Sequence, residues 1–318
     1  MHLKKLVGLD GEHRYDCDRS LMSTQYFQKQ LEIPGRVTFM EGKGELPKIQ
    51  VTTAWSSAEI YLDGAQVTHF QKTSEPPILF LSQLSRFHSG QPIRGGVPIV
   101  FPWFGPREGE PMHGFARITT WELREIVQLP DGGVSLKLSL PDSAPAALFP
   151  DFTADYAITV GKDLVLELVI ANKSSDQDFT FENCLHSYFQ VGDVRAASVT
   201  GLKGATYLDK AENYARKMEN AEHIKISQET DRIYLDTTSA IEIHDSKLGR
   251  RIVIEKSGSR STVVWNPWTA KAQEMPDFGN EEFLGMICVE SGNVAENRLT
   301  LPAGKSSSLK VAISTAPL

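Results

Sequence analysis

Two short segments carry residue types that move protons. In Phe179-Thr-Phe-Glu-Asn-Cys-Leu-His-Ser-Tyr-Phe189, strand alternation would set Phe179, Phe181 and Leu185 on one face and Thr180, Glu182, Cys184, His186 and Tyr188 on the other. His186 is then an imidazole that titrates near neutral pH among polar and aromatic groups, although a lone strand histidine is also commonly a hydrogen-bonded structural residue. In Phe283-Leu-Gly-Met-Ile-Cys-Val-Glu290-Ser-Gly-Asn, a carboxylate ends an apolar run and Gly292 opens a loop. Such a group is either solvated at a strand end or a base partly desolvated at a cleft. Asp231, in Gln-Glu-Thr-Asp-Arg-Ile-Tyr, sits where turn residues are common.

A second set of residues could hold an anion and a ring. Pro92-Ile-Arg94-Gly-Gly-Val-Pro-Ile-Val-Phe-Pro-Trp-Phe-Gly105 and Met112-His113-Gly-Phe-Ala-Arg117 combine glycines, prolines and aromatics that suit a rigid, extended cleft wall. Arg94 and Arg117 on that wall either bind an anion bidentately or pair with acidic neighbours. Gly95-Gly96 matches no phosphate-loop spacing. Trp265-Asn-Pro-Trp268 offers an apolar platform for a sugar ring, or simply core tryptophans.

Composition narrows what these groups act on. A net charge of −7 and a pI of about 5.7 make a poor footprint for nucleic acid or anionic lipid, so an anionic ligand must meet a local basic cluster. Cys17, Cys184 and Cys288 lie far apart, and their odd number fits no closed disulfide set, which points to reduced thiols in the cytoplasm. No histidine pair or Cys/His group has metal-ligand spacing, and no cofactor is expected. No apolar segment reads as a signal peptide or membrane span.

The elements that must position these residues are mostly strands. Val134, Leu136, Leu138 and Leu140 alternate with Ser135, Lys137 and Ser139. Hairpins are expected between 156–160 and 164–171, and between 240–244 and 251–255. Further strands are expected at 58–62, 66–71, 119–126, 180–189, 262–265, 286–290 and 310–314. Helix is expected only at Ala211–Glu219, with a single turn at Ala144–Leu148. Short strands without alternating helices imply packed antiparallel sheets and exclude Rossmann and TIM architectures. Residues 1–36 read as an N-terminal arm or extra edge element, and 37–318 as one domain; at 318 residues no disulfide staple is needed for a core.

Taken in order, Pro-Ile-Arg-Gly-Gly-Val-Pro, Phe-Pro-Trp-Phe-Gly, His-Gly-Phe-Ala-Arg, Leu-His-Ser-Tyr-Phe, Glu-Thr-Asp-Arg-Ile-Tyr, Val-Val-Trp-Asn-Pro-Trp and Cys-Val-Glu-Ser-Gly resemble the hexose-6-phosphate mutarotases (glucose-6-phosphate 1-epimerases) of the aldose 1-epimerase, galactose mutarotase-like superfamily. The resemblance runs from about residue 37 to the C-terminus. It implies an all-β supersandwich of large, mostly antiparallel sheets, with His186 and Glu290 as catalytic acid and base. It further implies Arg94, Arg117 and Asp231 as substrate-binding residues, His113 beside the reacting centre, and a hexose 6-phosphate substrate. Members of the family often carry Gln where this chain has Met112. The implied chemistry is ring opening by a carboxylate and an imidazole, rotation about C1–C2, and reclosure, with no metal or covalent intermediate. A mutarotase for neutral aldoses such as galactose, or a non-catalytic sugar-phosphate-binding protein on the same fold, are the alternatives.

Overall fold

A computed structural model of the chain describes residues 31–318 apart from residue 144, so most of the expected N-terminal arm lies outside the described residues. The period-two segments form strands as expected. Val134–Ser139 buries Val134, Leu136 and Leu138, and Leu164–Asn172 alternates buried with half-buried residues along its whole length. The 164–172 strand pairs with Phe152–Val160 as a hairpin, and Ile241–Asp245 pairs with Arg250–Ser257 as the second expected one.

Two eight-stranded antiparallel sheets dominate. One, here the backing sheet, runs Ala197–Thr200, Ile241–Asp245, Arg250–Ser257, Ser306–Pro317, Leu164–Asn172, Phe152–Val160, Val134–Ser139, Glu122–Gln128. The other, the site sheet, runs Ala215–Met218, Thr206–Asp209, Thr230–Leu235, Ser261–Asn266, Met286–Asn293, Asn183–Leu185, Ile99–Val100, with Tyr188–Gln190 also paired to Met286–Asn293. A four-stranded sheet spans Val37–Glu41 to Gln66–Lys72.

The inner faces of the sheets share one core. Leu166, Leu168, Ile252, Ile254, Val311 and Ile313 of the backing sheet cluster with Leu185, Val264, Ile287 and Val289 of the site sheet, and Ile49, Val51, Ile60 and Phe70 of the smaller sheet join them. Burying each such side chain stabilises the fold by about 1.5–3 kcal/mol. The outer face of the site sheet carries a second cluster with Val100, Cys184, Tyr188, Ile233, Val263, Trp265 and Cys288.

Three expectations are corrected. Residues 211–219 form no helix: a 3-10 turn at Lys210–Glu212 passes through Asn213 and Tyr214 at positive φ into the strand Ala215–Met218. Residues 211–214 are all exposed, so no apolar stripe rewards a helix, and pairing with Thr206–Asp209 prevails. A helix instead forms at Trp268–Glu274, after Pro267, where the Asn266 side chain accepts the Trp268 N–H at 2.9 Å. The expected 180–189 strand is three short ones, Phe179–Phe181, Asn183–Leu185 and Tyr188–Gln190, the first of which leaves to pair with Leu299–Leu301. Glu182 marks that break, its carboxylate accepting the N–H groups of Phe104 at 2.9 Å and Ala295 at 2.7 Å. The expected 119–126 strand begins later, at Glu122.

Candidate active site

Antiparallel register assembles the site. Directly opposed residues of neighbouring strands share a face, and the pairs Tyr188–Cys288, Cys288–Trp265 and Trp265–Asp231 make one row across four strands. Glu290 lies two residues from Cys288, opposite Val263, and so faces the same way. His186 sits in the short link between Asn183–Leu185 and Tyr188–Gln190, where its N–H donates to the Pro98 carbonyl at 3.0 Å. The alternation read across 179–189 thus holds for facing, although the strand is broken.

The opposite wall comes from 94–117. Gly96 has φ +63, and a Cβ there would stand 2.2 Å from the Val67 carbonyl oxygen, so only glycine fits where this segment crosses Gln66–Lys72. His113 has φ +67, and its Nδ1 accepts the Gly105 N–H at 3.1 Å. Nε2 is therefore the nitrogen that carries the proton in the neutral ring. Burial, then the Arg117 charge, hold His113 well below the ordinary imidazole range.

A cavity of about 450 Å³ opens between the walls, lined by Arg94, Phe104, Met112, His113, His186, Tyr188, Lys210, Asp231, Trp265, Lys271 and Glu290 among others. At its floor His186 Nε2 stands 3.3 Å from Glu290 Oε1, and the Cys184 thiol donates to Glu290 Oε2 at 3.6 Å. The His186 ring stacks on Tyr188 with 4.7 Å between centroids. Burial pushes Glu290 well above the usual carboxylate range, reinforced by Asp231, and pushes His186 well below the usual imidazole range, reinforced by Arg117 and Arg94. His186 Nδ1 is buried without a hydrogen-bond partner among the described residues, none of which steadies a second proton on the ring. Imidazole and carboxyl therefore touch one another, and a ligand in the cavity meets both from the open side.

The charged groups around the mouth are mostly paired. Arg94 donates from Nε and Nη2 to Asp277 at 3.2 and 3.3 Å and from Nη1 to the Tyr188 hydroxyl at 3.1 Å. Burial opposes the Arg94 charge, but Tyr188 and Asp277 more than restore it. Lys210 forms an ion pair with Asp231 at 2.8 Å. Lys271 lines the cavity with no carboxylate within ion-pair distance among the described residues. Arg117 does not line the cavity; it is buried, donates from Nη2 to the Met112 carbonyl at 2.6 Å, and burial brings it down to about 10.

The structure brings His186, Glu290, Arg94, His113, Asp231 and Trp265 to one cavity, whereas Arg117, read from the sequence as substrate-binding, does not line it. Sequence reading missed Lys210, Lys271 and Asp277. Lys210 immediately precedes the stretch read as helix, Lys271 lies three residues beyond the tryptophan platform, and Asp277 reaches Arg94 across a separation of 183 residues that no local pattern reports.

Comparisons with known proteins agree with this fold. The family model described as "Aldose 1-epimerase" matches residues 47–314. A "Putative glucose-6-phosphate 1-epimerase" of Cenchrus ciliaris is 35% identical over 269 residues, covering 82% of each chain. One of the same name from Escherichia coli K12 is 34% identical over 276 residues, covering 84% of this chain and 91% of that one. The crystal structure of a "putative mutarotase" from Salmonella typhimurium superposes with a TM-score of 0.83 at 30% identity, covering 93% of this chain and all of that one.

Proposed function

The chain belongs to the aldose 1-epimerase family, isomerases of small sugars, and we propose that it interconverts the α and β anomers of an aldohexose 6-phosphate, glucose 6-phosphate foremost. The observation that carries this is one cavity holding the His186–Glu290 pair at its floor and Arg94, Lys210 and Lys271 around it. Two relatives carry glucose 6-phosphate in their names, which favours the same substrate here.

Proton counting explains how a pair driven toward neutrality can catalyse ring opening. A protonated Glu290 beside a neutral His186 holds as many protons as a Glu290 carboxylate beside an imidazolium; the two differ by one proton moved across the 3.3 Å contact. In the charged form Glu290 takes the proton of the C1 hydroxyl while His186 gives one to the ring oxygen. The ring opens to the aldehyde and the pair becomes neutral. Burial that favours the neutral pair therefore drives the forward transfers once the charged pair has formed, and adds the cost of forming that charged pair from the resting neutral one. After rotation about C1–C2 the same two transfers run backwards. His113, holding its proton on Nε2, is a donor for a sugar oxygen beside the reacting centre, and Trp265 and Tyr188 supply apolar ring faces.

A second reading, a mutarotase for neutral aldoses, is favoured by one observation: Asp277 and Asp231 already occupy Arg94 and Lys210. Anomer-resolved NMR of freshly dissolved α-glucose 6-phosphate and α-galactose separates the two. Faster equilibration of the phosphorylated sugar alone supports the proposal, acceleration of galactose alone supports the second reading, and acceleration of neither overturns both.

A further inference from the structure

Beside the cavity floor lies a third, fully buried side chain, Cys288, that the proton transfers do not use. Ligand atoms of His186, Cys288 and Glu290 all lie within 4.8 Å of one another, and all three residues are buried. The His186 Nε2 to Glu290 Oε1 separation is 3.3 Å, close to the roughly 3.4 Å between nitrogen and oxygen ligands bound tetrahedrally to one zinc ion. A sulfur ligand needs about 3.6 Å to either, so from separations of 4.8 Å or less the thiol has to move by about 1.2 Å at most. Its backbone is fixed between Tyr188 and Trp265, and it faces the same side as Glu290. His186 and Glu290 line the cavity, so an ion reaches these ligands from it.

We propose that His186, Cys288 and Glu290 form a site for a thiophilic divalent ion, zinc foremost, which inhibits the enzyme by occupying its acid and base together. The inhibitory consequence rests on the acid/base reading above. Binding makes one Zn–N, one Zn–O and one Zn–S bond, and the thiol proton and any carboxyl proton pass to solvent without a change of oxidation state. The surrounding charges set the selectivity. Arg117, Arg94 and Lys210 all act on the His186 ring, against Asp231 acting on Glu290. That field opposes an ion held by charge alone, so oxygen-seeking magnesium and calcium are excluded, whereas the sulfur–zinc bond offsets it.

The test follows mutarotation of α-glucose 6-phosphate with added zinc chloride or magnesium chloride. Zinc is expected to inhibit competitively at micromolar concentration and EDTA to reverse it, with magnesium inert. Cys288→Ser is expected to weaken zinc inhibition at least tenfold. Titration of the whole chain with cobalt chloride gives a readout independent of turnover: a near-ultraviolet sulfur-to-cobalt charge-transfer band, kept in Cys184→Ser and lost in Cys288→Ser. Equal zinc inhibition of wild type and Cys288→Ser, or a band that survives Cys288→Ser, overturns the site. Should the chain turn over no sugar, the cobalt band still decides the metal site while the acid/base reading fails separately. Cys288→Ala provides the same comparison if the serine variant does not fold.

Discussion

The two eight-stranded sheets use the same strand period to different ends. In the backing sheet, Leu164–Asn172 alternates a core face with a half-buried outer face, and Arg250–Ser257 begins the same way. In the site sheet, every residue of Met286–Asn293 is buried, because its second face lies under the cavity. The polar groups enclosed by each differ accordingly. Lys256 of the backing sheet donates to the Thr237 hydroxyl, the Ser261 carbonyl and the Thr262 hydroxyl, at 3.0, 3.0 and 2.7 Å, and burial brings its ammonium down to about 7. Among the described residues His186 Nδ1 has no partner, and Glu290 has only a thiol and that imidazole. A half-buried amine saturated by acceptors ties the backing sheet to Ser261–Asn266; a buried pair left short of partners is ready to exchange protons with a ligand.

Substitution should separate the two sheets most widely. Glu290→Gln keeps the shape but cannot accept the C1 proton, and the loss of one positioned transfer is expected to lower kcat by about 10²–10⁴-fold. His186→Asn is expected to do the same, with circular dichroism and melting temperature nearly unchanged. Leu166→Ala in the backing sheet empties a fully buried position and is expected to cost about 2–5 kcal/mol of stability. Its kcat, measured well below the melting temperature, should stay near wild type. A Glu290→Gln enzyme with near wild-type kcat, or a Leu166→Ala enzyme with wild-type stability and lost activity, would erase the contrast.

The pH profile comes next. Neutral-pair and ion-pair forms share one proton count, so activity falls when the pair gains or loses a proton. Gain requires an imidazolium beside a protonated carboxyl, and His186 is held well below its ordinary 6.5, so the acidic limb is expected below pH 6.5. Loss requires a carboxylate beside neutral imidazole, and Glu290 is raised well above 4.5, so the alkaline limb is displaced upward from the carboxylate range. Polarimetry across pH, corrected for buffer catalysis, checks both limbs. A single sigmoid centred on pH 4.5 contradicts the pairing.

The same contrast governs what was legible in the sequence. Val134, Leu136 and Leu138 announce a one-faced strand because their neighbours are polar. Met286–Asn293 announces only burial, and its second face is known once Tyr188, Cys288, Trp265 and Asp231 fall into register. Residue types singled out His186 and Glu290, and resemblance gave them roles, but their 3.3 Å contact needed the fold. Lys271 and Asp277 were beyond reach, since each belongs to the site through tertiary placement alone.

Smaller effects should distinguish the cations around the cavity. Lys271→Ala removes the lining ammonium that has no carboxylate partner and is expected to raise KM for glucose 6-phosphate roughly tenfold, the low end of a charged hydrogen bond at about 1.5–3 kcal/mol. KM for free glucose should barely change. Arg94→Ala is expected to act in the same direction while also freeing Asp277. Arg117→Ala should lower activity on both sugars alike, because that residue supports the Met112 carbonyl and biases the two histidines without lining the cavity. A phosphate-specific KM change in Arg117→Ala would transfer the anion contact to it.

The smallest expected effect is none at all. In the proposed cycle carboxylate and imidazole exchange protons with O1 and the ring oxygen, and the charge developed at each is cancelled by the other, so that cycle closes without a Lewis acid. The three-ligand set of His186, Cys288 and Glu290 makes this a sharp test, since an ion there would sit on the acid and base themselves. Exhaustive EDTA treatment is therefore expected to leave mutarotation unchanged, or to raise it where the purified protein carries zinc. Metal content and rate are measured on the same sample before and after dialysis. Activity lost on chelation and restored by zinc would make the ion a cofactor and end the two-residue mechanism, because Glu290 and His186 would then be ligands and the transferred protons would need other carriers.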